Sequence, residues 1–238
     1  MSPSDFVALL WFICCWTAYT IYAHRAGPQH ATLAKALHGV RRQWIDELLQ
    51  REMRIADITA LGALQRNVTF FASTTLIILA GLLTVLGATE QVIDLADTLP
   101  FVINTSRALW EIKLLLLIAI FIYAFFKFSW CVRQYNFALV MVGGAPMPDA
   151  EERKKTTFTE QFNVLLNAAN QSFTIGLRSY NFALAALAWF IHPQLFIVAS
   201  AAVVAILYRR EFRSRSLVSM QSLLQKDFDE SAIKTKIK

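Results

Sequence analysis

The longest apolar run in this chain constrains its fold more than any other feature. Residues 112–142 are mostly hydrophobic and contain neither glycine nor proline. As an α-helix this run would be about 46 Å long, which exceeds the ~30 Å hydrocarbon core of a bilayer. Because 56% of the 238 residues are hydrophobic and only 17% are charged, a soluble fold could not hide them. The sequence therefore predicts an all-α, polytopic membrane protein.

Together with four other apolar runs, it predicts about five membrane-crossing helices. The predicted spans are residues 6–23, 67–87, 112–133, 178–191 and 195–208. His192-Pro193-Gln194 separates the last two runs, which we therefore interpret as a hairpin. Lys and Arg number seven in residues 24–66 and eight in 209–238, but one in 88–111. This bias predicts an outside N-terminus and a cytoplasmic C-terminus.

Two stretches between the spans have the periodicity of amphipathic helices. Apolar side chains recur at three- and four-residue steps in residues 28–66, and a second stripe covers 156–172. Both lie on the predicted cytoplasmic side, where such a stripe packs on neighbouring helices, joins subunits or lies on the bilayer surface. We predict one membrane domain over residues 1–220 and a charged C-terminal tail over 221–238.

A seven-residue phrase occurs twice, forty-five residues apart. The first copy, residues 133–139, reads RQYNFAL, and the second, residues 178–184, reads RSYNFAL. Each copy places an arginine and an asparagine three residues apart, so both side chains lie on one face of a helix. Each copy also adjoins a long apolar run, which places these polar groups at or just inside a membrane boundary.

The depth of these basic side chains suggests a binding site. The hairpin arms are about 21 Å long, shorter than the hydrocarbon core, so Arg178 falls within the nominal inner boundary. Such side chains either extend to the interface or line a water-filled vestibule. Arginine binds oxyanions through two parallel hydrogen bonds, so phosphate, a carboxylate or an anionic lipid head group would fit. The predicted anion site comprises Arg66, Lys127, Arg133, Asn136, Arg178 and Asn181.

A second basic cluster follows the last span. Its members mark the cytoplasmic side and, as an alternative, contact anionic lipid; they are Arg209, Arg210, Arg213 and Arg215. The four histidines share no ligand spacing and the three cysteines no framework spacing, so we predict no metal, cofactor or disulfide. The sequence contains no phosphate-binding loop, no nucleophile elbow and no paired-carboxylate motif. We therefore expect that the protein is not an enzyme. The net charge of +6 is typical of cytoplasmic loops and does not predict nucleic-acid binding.

Five stretches of the chain match the pattern of one family. They are FFAST at 70–74, KFSW and RQYNF within 127–137, GGAP at 143–146, residues 180–190, and LYRREF at 207–212. In these stretches the chain resembles an integral-membrane family of bacteria and plants, the domain of unknown function 599. The resemblance covers about residues 41–220 and implies a multi-span membrane fold. It implies no activity and no catalytic residue.

Two functions are compatible with these patterns. The first is an oligomeric channel or transporter whose cytoplasmic-side Arg/Asn site handles an anion; the repeated phrase supports it by suggesting two related elements that face one site. The second is a non-transporting accessory or scaffold subunit that binds anionic lipid or a larger membrane complex. We expect the bilayer and further copies of the chain as partners, with another membrane protein as a further candidate. The expected location is a bacterial inner membrane.

Overall fold

The described part of the chain is built from eight α-helices and the turns between them. The computed structural model describes residues 3–26, 32–96 and 106–236, and within these ranges there is no strand. The prediction of an all-α protein is confirmed. The helices are α1 (Pro3–Ala26), α2 (Leu33–Gln50), α3 (Ile55–Gly87), α4 (Thr89–Ala96), α5 (Arg107–Gly143), α6 (Glu152–Ile191), α7 (Pro193–Phe212) and α8 (Arg215–Lys236).

Three helices in the described ranges are long and apolar enough to cross a membrane. They are Pro3–Ala23 of α1, Ile55–Gly87 and Arg107–Gly143. Many of their apolar side chains are exposed on the protein surface, as expected where lipid covers a helix. The two other predicted spans, 178–191 and 195–208, lie in α6 and α7, which are not among these three helices.

The antiparallel helices α5 and α6 form the centre of the bundle, and α3 packs along α5. Gly176 of α6 lets these central helices approach closely, because a Cβ at that position would lie 2.5 Å from Phe128 Cε1 of α5. Tyr180 of α6 contacts both clusters of the hydrophobic core. Its hydroxyl group lies 2.8 Å from Thr75 Oγ1 of α3. Packing around Tyr180 and its hydrogen bond to Thr75 thus hold α3, α5 and α6 together at one level along the bundle.

At one end of the bundle, α1 and α7 cover α6. Pro193 follows the end of α6 and occupies the first turn of α7, where proline is well tolerated. The His192 Nδ1 atom accepts a hydrogen bond from the Gln194 N–H group and caps α7. The chain reverses here, and the Trp189 and Phe196 rings stack across the turn. The predicted hairpin is therefore present, and we name this end of the bundle the Lys113 end, after a buried lysine of α5.

The opposite end, which we name the Arg54 end, holds α2 and α8. The predicted continuous helix over residues 28–66 is wrong in its described part: α2 ends at Gln50 and α3 begins at Ile55. Residues 28–31 of that prediction lie outside the described ranges. In the break between the two helices, Arg54 Nη1 donates to the Ala145 carbonyl at 2.9 Å, and Nη2 donates to the Pro146 carbonyl. These bonds attach the α2–α3 turn to the α5–α6 turn.

Two further predicted boundaries differ from the structure. Residues 156–172 and 178–191 belong to one continuous helix, α6, because no proline interrupts residues 152–191 and both halves pack on α5. The predicted tail, 221–238, is helical as far as Lys236 within α8. Leu224 anchors α8 to α2, where its side chain lies against Gly39. A glycine there leaves room for the leucine side chain.

Candidate functional site

The six residues of the predicted anion site lie on different surfaces of the bundle. Among the described residues, no hydrogen bond or ion pair joins two of the six. Arg178 faces α1 and α7, whereas Arg133 and Arg66 are exposed on α5 and α3. A single chain therefore does not bring the two copies of the repeated phrase to one site.

Arg178 is held between three helices. Its Nη2 atom lies 4.0 Å from Oε2 of Glu211 on α7, and its guanidinium group lies over the Tyr19 ring of α1 at 5.2 Å. The Arg178 and Glu211 side chains are only 18% and 17% exposed. At such burial an ion pair and a ring face offset part of the cost of desolvating the charge. Arg178 thus joins α6 to α1 and α7.

The rest of the second phrase is also used in packing. Asn181 Nδ2 donates to the Leu177 carbonyl of its own helix at 2.9 Å. Phe182 is fully buried and stacks on Trp16 of α1 with ring centroids 5.0 Å apart. In this copy, Arg178, Asn181 and Phe182 all have partners within the chain.

In the first copy of the phrase, residues 133–139, the arginine is exposed and not covered by other helices. Arg133 is exposed, and its guanidinium group lies over the rings of Phe137 at 5.6 Å and Trp130 at 6.0 Å. Both rings are themselves exposed. Lys127, six residues before Arg133 on α5, lies over the Tyr123 ring at 5.4 Å. This face of α5 combines cations and aromatic rings, a pattern typical of membrane–water interfaces.

A hydrogen bond places Arg66 at the same level as Arg133. Gln65 Nε2 of α3 donates to Asn136 Oδ1 of α5 at 2.6 Å. Arg66, the next residue on α3, is exposed and lies close to Gly62 on its own helix. Neither Arg66 nor Arg133 has an ion pair among the described residues. Two free guanidinium groups therefore flank the contact between α3 and α5.

Exposed apolar side chains lie on both sides of this level on the two helices. From Lys113 to Arg133 is twenty residues, or about 30 Å of helix, close to the thickness of a hydrocarbon core. Between them the exposed side chains of α5 are chiefly apolar, whereas those of α3 after Arg66 are a mixture of apolar and small polar residues. The large apolar or aromatic ones are Leu115, Ile122, Tyr123, Phe126 and Trp130 on α5, and Phe70, Leu76, Ile77 and Leu83 on α3.

The second basic cluster lies at the end of α7 and the start of α8. Its four arginines, Arg209, Arg210, Arg213 and Arg215, are exposed and make no ion pair within the described ranges. Arg209 and Arg210 occupy the last turn of α7, where a positive charge stabilises the helix dipole. The cluster thus gives the end of α7 and the start of α8 an exposed, positively charged surface.

A family model described as "Protein of unknown function, DUF599" matches residues 7–216. The chain belongs to the DUF599 family. No curated protein and no solved structure matches it. The DUF599 match begins within α1 and ends within α8, so it includes Arg66, Arg133 and Arg178 and extends further toward the N-terminus than the sequence motifs indicated.

The Lys113 end of this DUF599 protein holds a buried charged cluster that the sequence analysis missed. Trp189 Nε1 donates to Asp5 Oδ1 at 3.0 Å, and Lys113 Nζ lies 5.5 Å from the centroid of the Trp189 ring. Asp5 and Lys113 are both buried and attract each other electrostatically. A lysine inside an apolar run was a usable signal. The sequence does not indicate that Lys113 lies near Asp5, which is more than one hundred positions away.

A polar groove between α2 and α6 was also missed. It contains two cavities of about 150 and 300 Å³, and Arg42 and Thr159 line both of them. Burial, followed by the nearby charges of Arg41 and Arg42, lowers the pKa of His38, which lines the smaller cavity. The polar residues recur at helical spacing on α2 and α6, which sequence reasoning interprets as two solvated faces. Only the packing of the helices makes them a groove in this DUF599 protein.

Proposed function

We propose that this DUF599 protein is a non-transporting membrane subunit that holds anionic phospholipid head groups at Arg66 and Arg133. One observation carries the proposal: both guanidinium groups are exposed, without an ion pair among the described residues, at the level of the Gln65–Asn136 hydrogen bond that joins α3 to α5. A phosphodiester at this level can accept two parallel hydrogen bonds from an arginine. It also neutralises a charge that the protein leaves unpaired.

The proposal includes a topology of five membrane-crossing segments. The short apolar arms of α6 and α7 cross with α1, α3 and α5, and the longer α6 continues into the cytoplasm at the Arg54 end. The excess of Lys and Arg in 24–66 and 209–238 supports this orientation, with the N-terminus outside and the C-terminus inside. Arg178, about 20 Å along α6 from Ile191, extends toward Glu211 near the inner end of α7. The proposed location is a bacterial inner membrane.

The surroundings of Arg133 suit a lipid better than a dissolved ion. Trp130 and Phe137 are exposed beside it and present apolar surface to the acyl and ester region. Each basic side chain near an anionic membrane surface contributes about 1 kcal/mol to its attraction. Arg66 and Arg133 together should therefore favour an anionic over a zwitterionic lipid by more than tenfold.

The contact between Arg178 and Glu211 favours this function over transport. An anion site shared by both copies of the phrase would need Arg178 free, and in this chain it is paired and faces away from Arg133. A channel or transporter assembled from several copies stays a prediction. It is tested together with the lipid proposal below.

Native mass spectrometry in mild detergent tests the lipid site directly. We expect added phosphatidylglycerol to form adducts with the wild-type protein, and phosphatidylcholine to form fewer. Arg66→Gln and Arg133→Gln should each weaken phosphatidylglycerol binding about fivefold, and the double variant by more than tenfold. Arg153→Gln is the control, because Arg153 is equally exposed but lies in the first turn of α6, away from this level.

Two results would contradict the proposal. One is equal binding of both lipids by the wild type, and the other is phosphatidylglycerol binding that survives in the double variant. Chloride and phosphate flux into liposomes is measured with the same proteins and with Arg178→Gln. Flux that is lost when Arg133 or Arg178 is substituted would support transport and contradict the proposed accessory function.

A further inference from the structure

The exposed apolar surface formed by α1 and α7, which we name the α1/α7 face, is shorter than the hydrocarbon core of an ordinary bilayer. On α1 the large exposed apolar side chains run from Phe6 to Tyr22, sixteen residues or about 24 Å of helix. On α7 they run from Leu195 to Tyr208, thirteen residues or about 20 Å. Because a typical hydrocarbon core is ~30 Å thick, this face is too short by about 6–10 Å.

The opposite face of the bundle, formed by α3 and α5, extends further toward the Arg54 end. Ser172 Oγ of α6 donates to Oε1 of Gln134, the neighbour of Arg133 on α5, at 3.0 Å. Arg178 lies six residues from Ser172, about 9 Å along α6 toward the Lys113 end. Glu211 of α7 lies 4.0 Å from Arg178. The basic end of α7 is therefore about 9 Å closer to the Lys113 end than Arg133 is.

The two faces thus present different side chains at the same level. From the level of Arg178 to that of Arg133, α5 exposes the apolar surfaces of Phe126 and Trp130. At the start of this interval α7 ends in exposed arginines. A flat inner boundary at Arg133 would place the end of α7 in hydrocarbon, and a flat boundary at the end of α7 would place the α5 rings in water. The boundary therefore has to differ between the two faces.

Extension of the arginine side chains does not remove this mismatch. An arginine can carry its charged group to the interface, but the backbone at the end of α7 cannot follow it. Because α7 ends at Phe212 and α8 begins at Arg215, the last carbonyl groups of α7 have no partner within their helix. Such groups are costly in hydrocarbon. The side chains that α8 exposes as far as Gln225 are also chiefly polar. This part of the chain therefore requires water or lipid head groups around it.

We propose that the α1/α7 face thins the inner leaflet of the bilayer locally by about 6–9 Å and gathers phospholipids with short acyl chains. A span shorter than the hydrocarbon core is accommodated by a thinner bilayer, and lipids of matching length reduce the cost of the mismatch. The rings of Tyr22 and Tyr208, 6.2 Å apart, mark the level that the head groups reach. The inference rests on the five-span topology proposed above, but not on lipid binding at Arg66 and Arg133.

Two exposed isoleucines offer a matched pair of positions for measuring this difference. Ile206 of α7 lies five residues before Glu211, toward the Lys113 end. On α5, Phe128 packs on Gly176, which lies at nearly the level of Glu211. Ile122 precedes Phe128 by six residues and therefore lies close to the level of Ile206.

Nitroxide labels on Ile206→Cys and Ile122→Cys report their depth through collisions with oxygen and with a water-soluble nickel chelate. They are attached in a Cys14→Ala/Cys15→Ala background, in which the buried Cys131 does not react. In dioleoylphosphatidylcholine we expect the Ile206 label to lie nearer the inner surface than the Ile122 label by about 6–9 Å. In the thinner dilauroylphosphatidylcholine bilayer the Ile122 label should become shallower, whereas the Ile206 label should keep its depth. Equal depths in the thicker bilayer, or equal shifts of both labels, would overturn the proposal.

A variant and two controls locate the cause. Arg209→Leu/Arg213→Leu extends the exposed apolar surface of α7 by about one turn, so the Ile206 label should lie about 5 Å deeper. Arg153→Gln, at an exposed position in the first turn of α6, should leave this depth unchanged. An unchanged depth in the double variant would refute the proposal. A label on Val198→Cys that is as accessible to the chelate as in water would refute the five-span topology. Since no anionic lipid is present, failure of the lipid site would leave all these depths unaltered.

Discussion

Arg178 of α6 and Glu211 of α7 face each other at 4.0 Å, although one lies in the repeated phrase and the other in the basic segment that follows the last span. The pair lies at the point where α1, α6 and α7 converge, beneath the Tyr19 ring. The Arg178 cation is thus neutralised by a carboxylate and covered by an aromatic ring.

Glu211→Gln should lower the free energy of unfolding by about 1–3 kcal/mol, because Arg178 loses its charge partner while it stays mostly buried. Arg178→Met should do the same. The double variant Arg178→Met/Glu211→Met should recover part of the loss, since no unpaired charge remains. Unfolding in detergent measures all four proteins as a double-mutant cycle. A coupling energy near zero would show that the two side chains do not interact.

Gly176→Ala should destabilise the protein by about 1–3 kcal/mol, because the added methyl group collides with the Phe128 ring and separates α5 from α6. Gly81→Ala is the matched control: Gly81 is also helical, but a Cβ there meets nothing within 4 Å. It should be neutral or stabilising by up to about 1 kcal/mol. Thermal unfolding of both variants checks the prediction, and Phe128→Leu should partly rescue Gly176→Ala.

Arg54→Ala should loosen the attachment between the α2–α3 and α5–α6 turns. The loss of hydrogen bonds to the Ala145 and Pro146 carbonyls should cost about 2 kcal/mol. Hydrogen exchange should accelerate in both turns, while the Lys113 end keeps its protection. Arg153→Ala, which removes an exposed arginine near the second turn, should leave exchange unchanged. Uniform acceleration over the whole bundle would contradict a local role for Arg54.

His38 should make stability depend on pH. Burial, followed by the charges of Arg41 and Arg42, lowers its pKa from the ordinary value of 6.5. The unfolded chain therefore binds a proton more readily than the folded one, so stability is full above pH 6.5 and falls as the pH drops through the lowered pKa. His38→Gln should remove this part of the acid dependence. Unfolding at several pH values measures it, and identical profiles for both proteins would contradict the assignment.

The local sequence was sufficient to predict the helical class, the reversal of the chain at Pro193 and the end of α5 before Gly144. Apolar runs form helices in a membrane because the backbone must satisfy its own hydrogen bonds there. Proline and glycine end such helices through their own backbone properties. These effects depend on neighbours in the sequence, so a single sequence was enough to predict them.

Only the tertiary structure determined which side chains of the two repeated phrases are exposed and which contact other helices. Arg133 and Arg178 have nearly identical local sequences, yet the first is exposed and the second is covered by α1 and α7. The link between the α2–α3 turn and the α5–α6 turn likewise depends on Arg54 reaching carbonyl groups more than ninety residues away. Hydropathy and periodicity describe which face of a helix is apolar or polar. Which other helix covers that face depends on distant segments of the chain, and only packing in three dimensions brings those segments together.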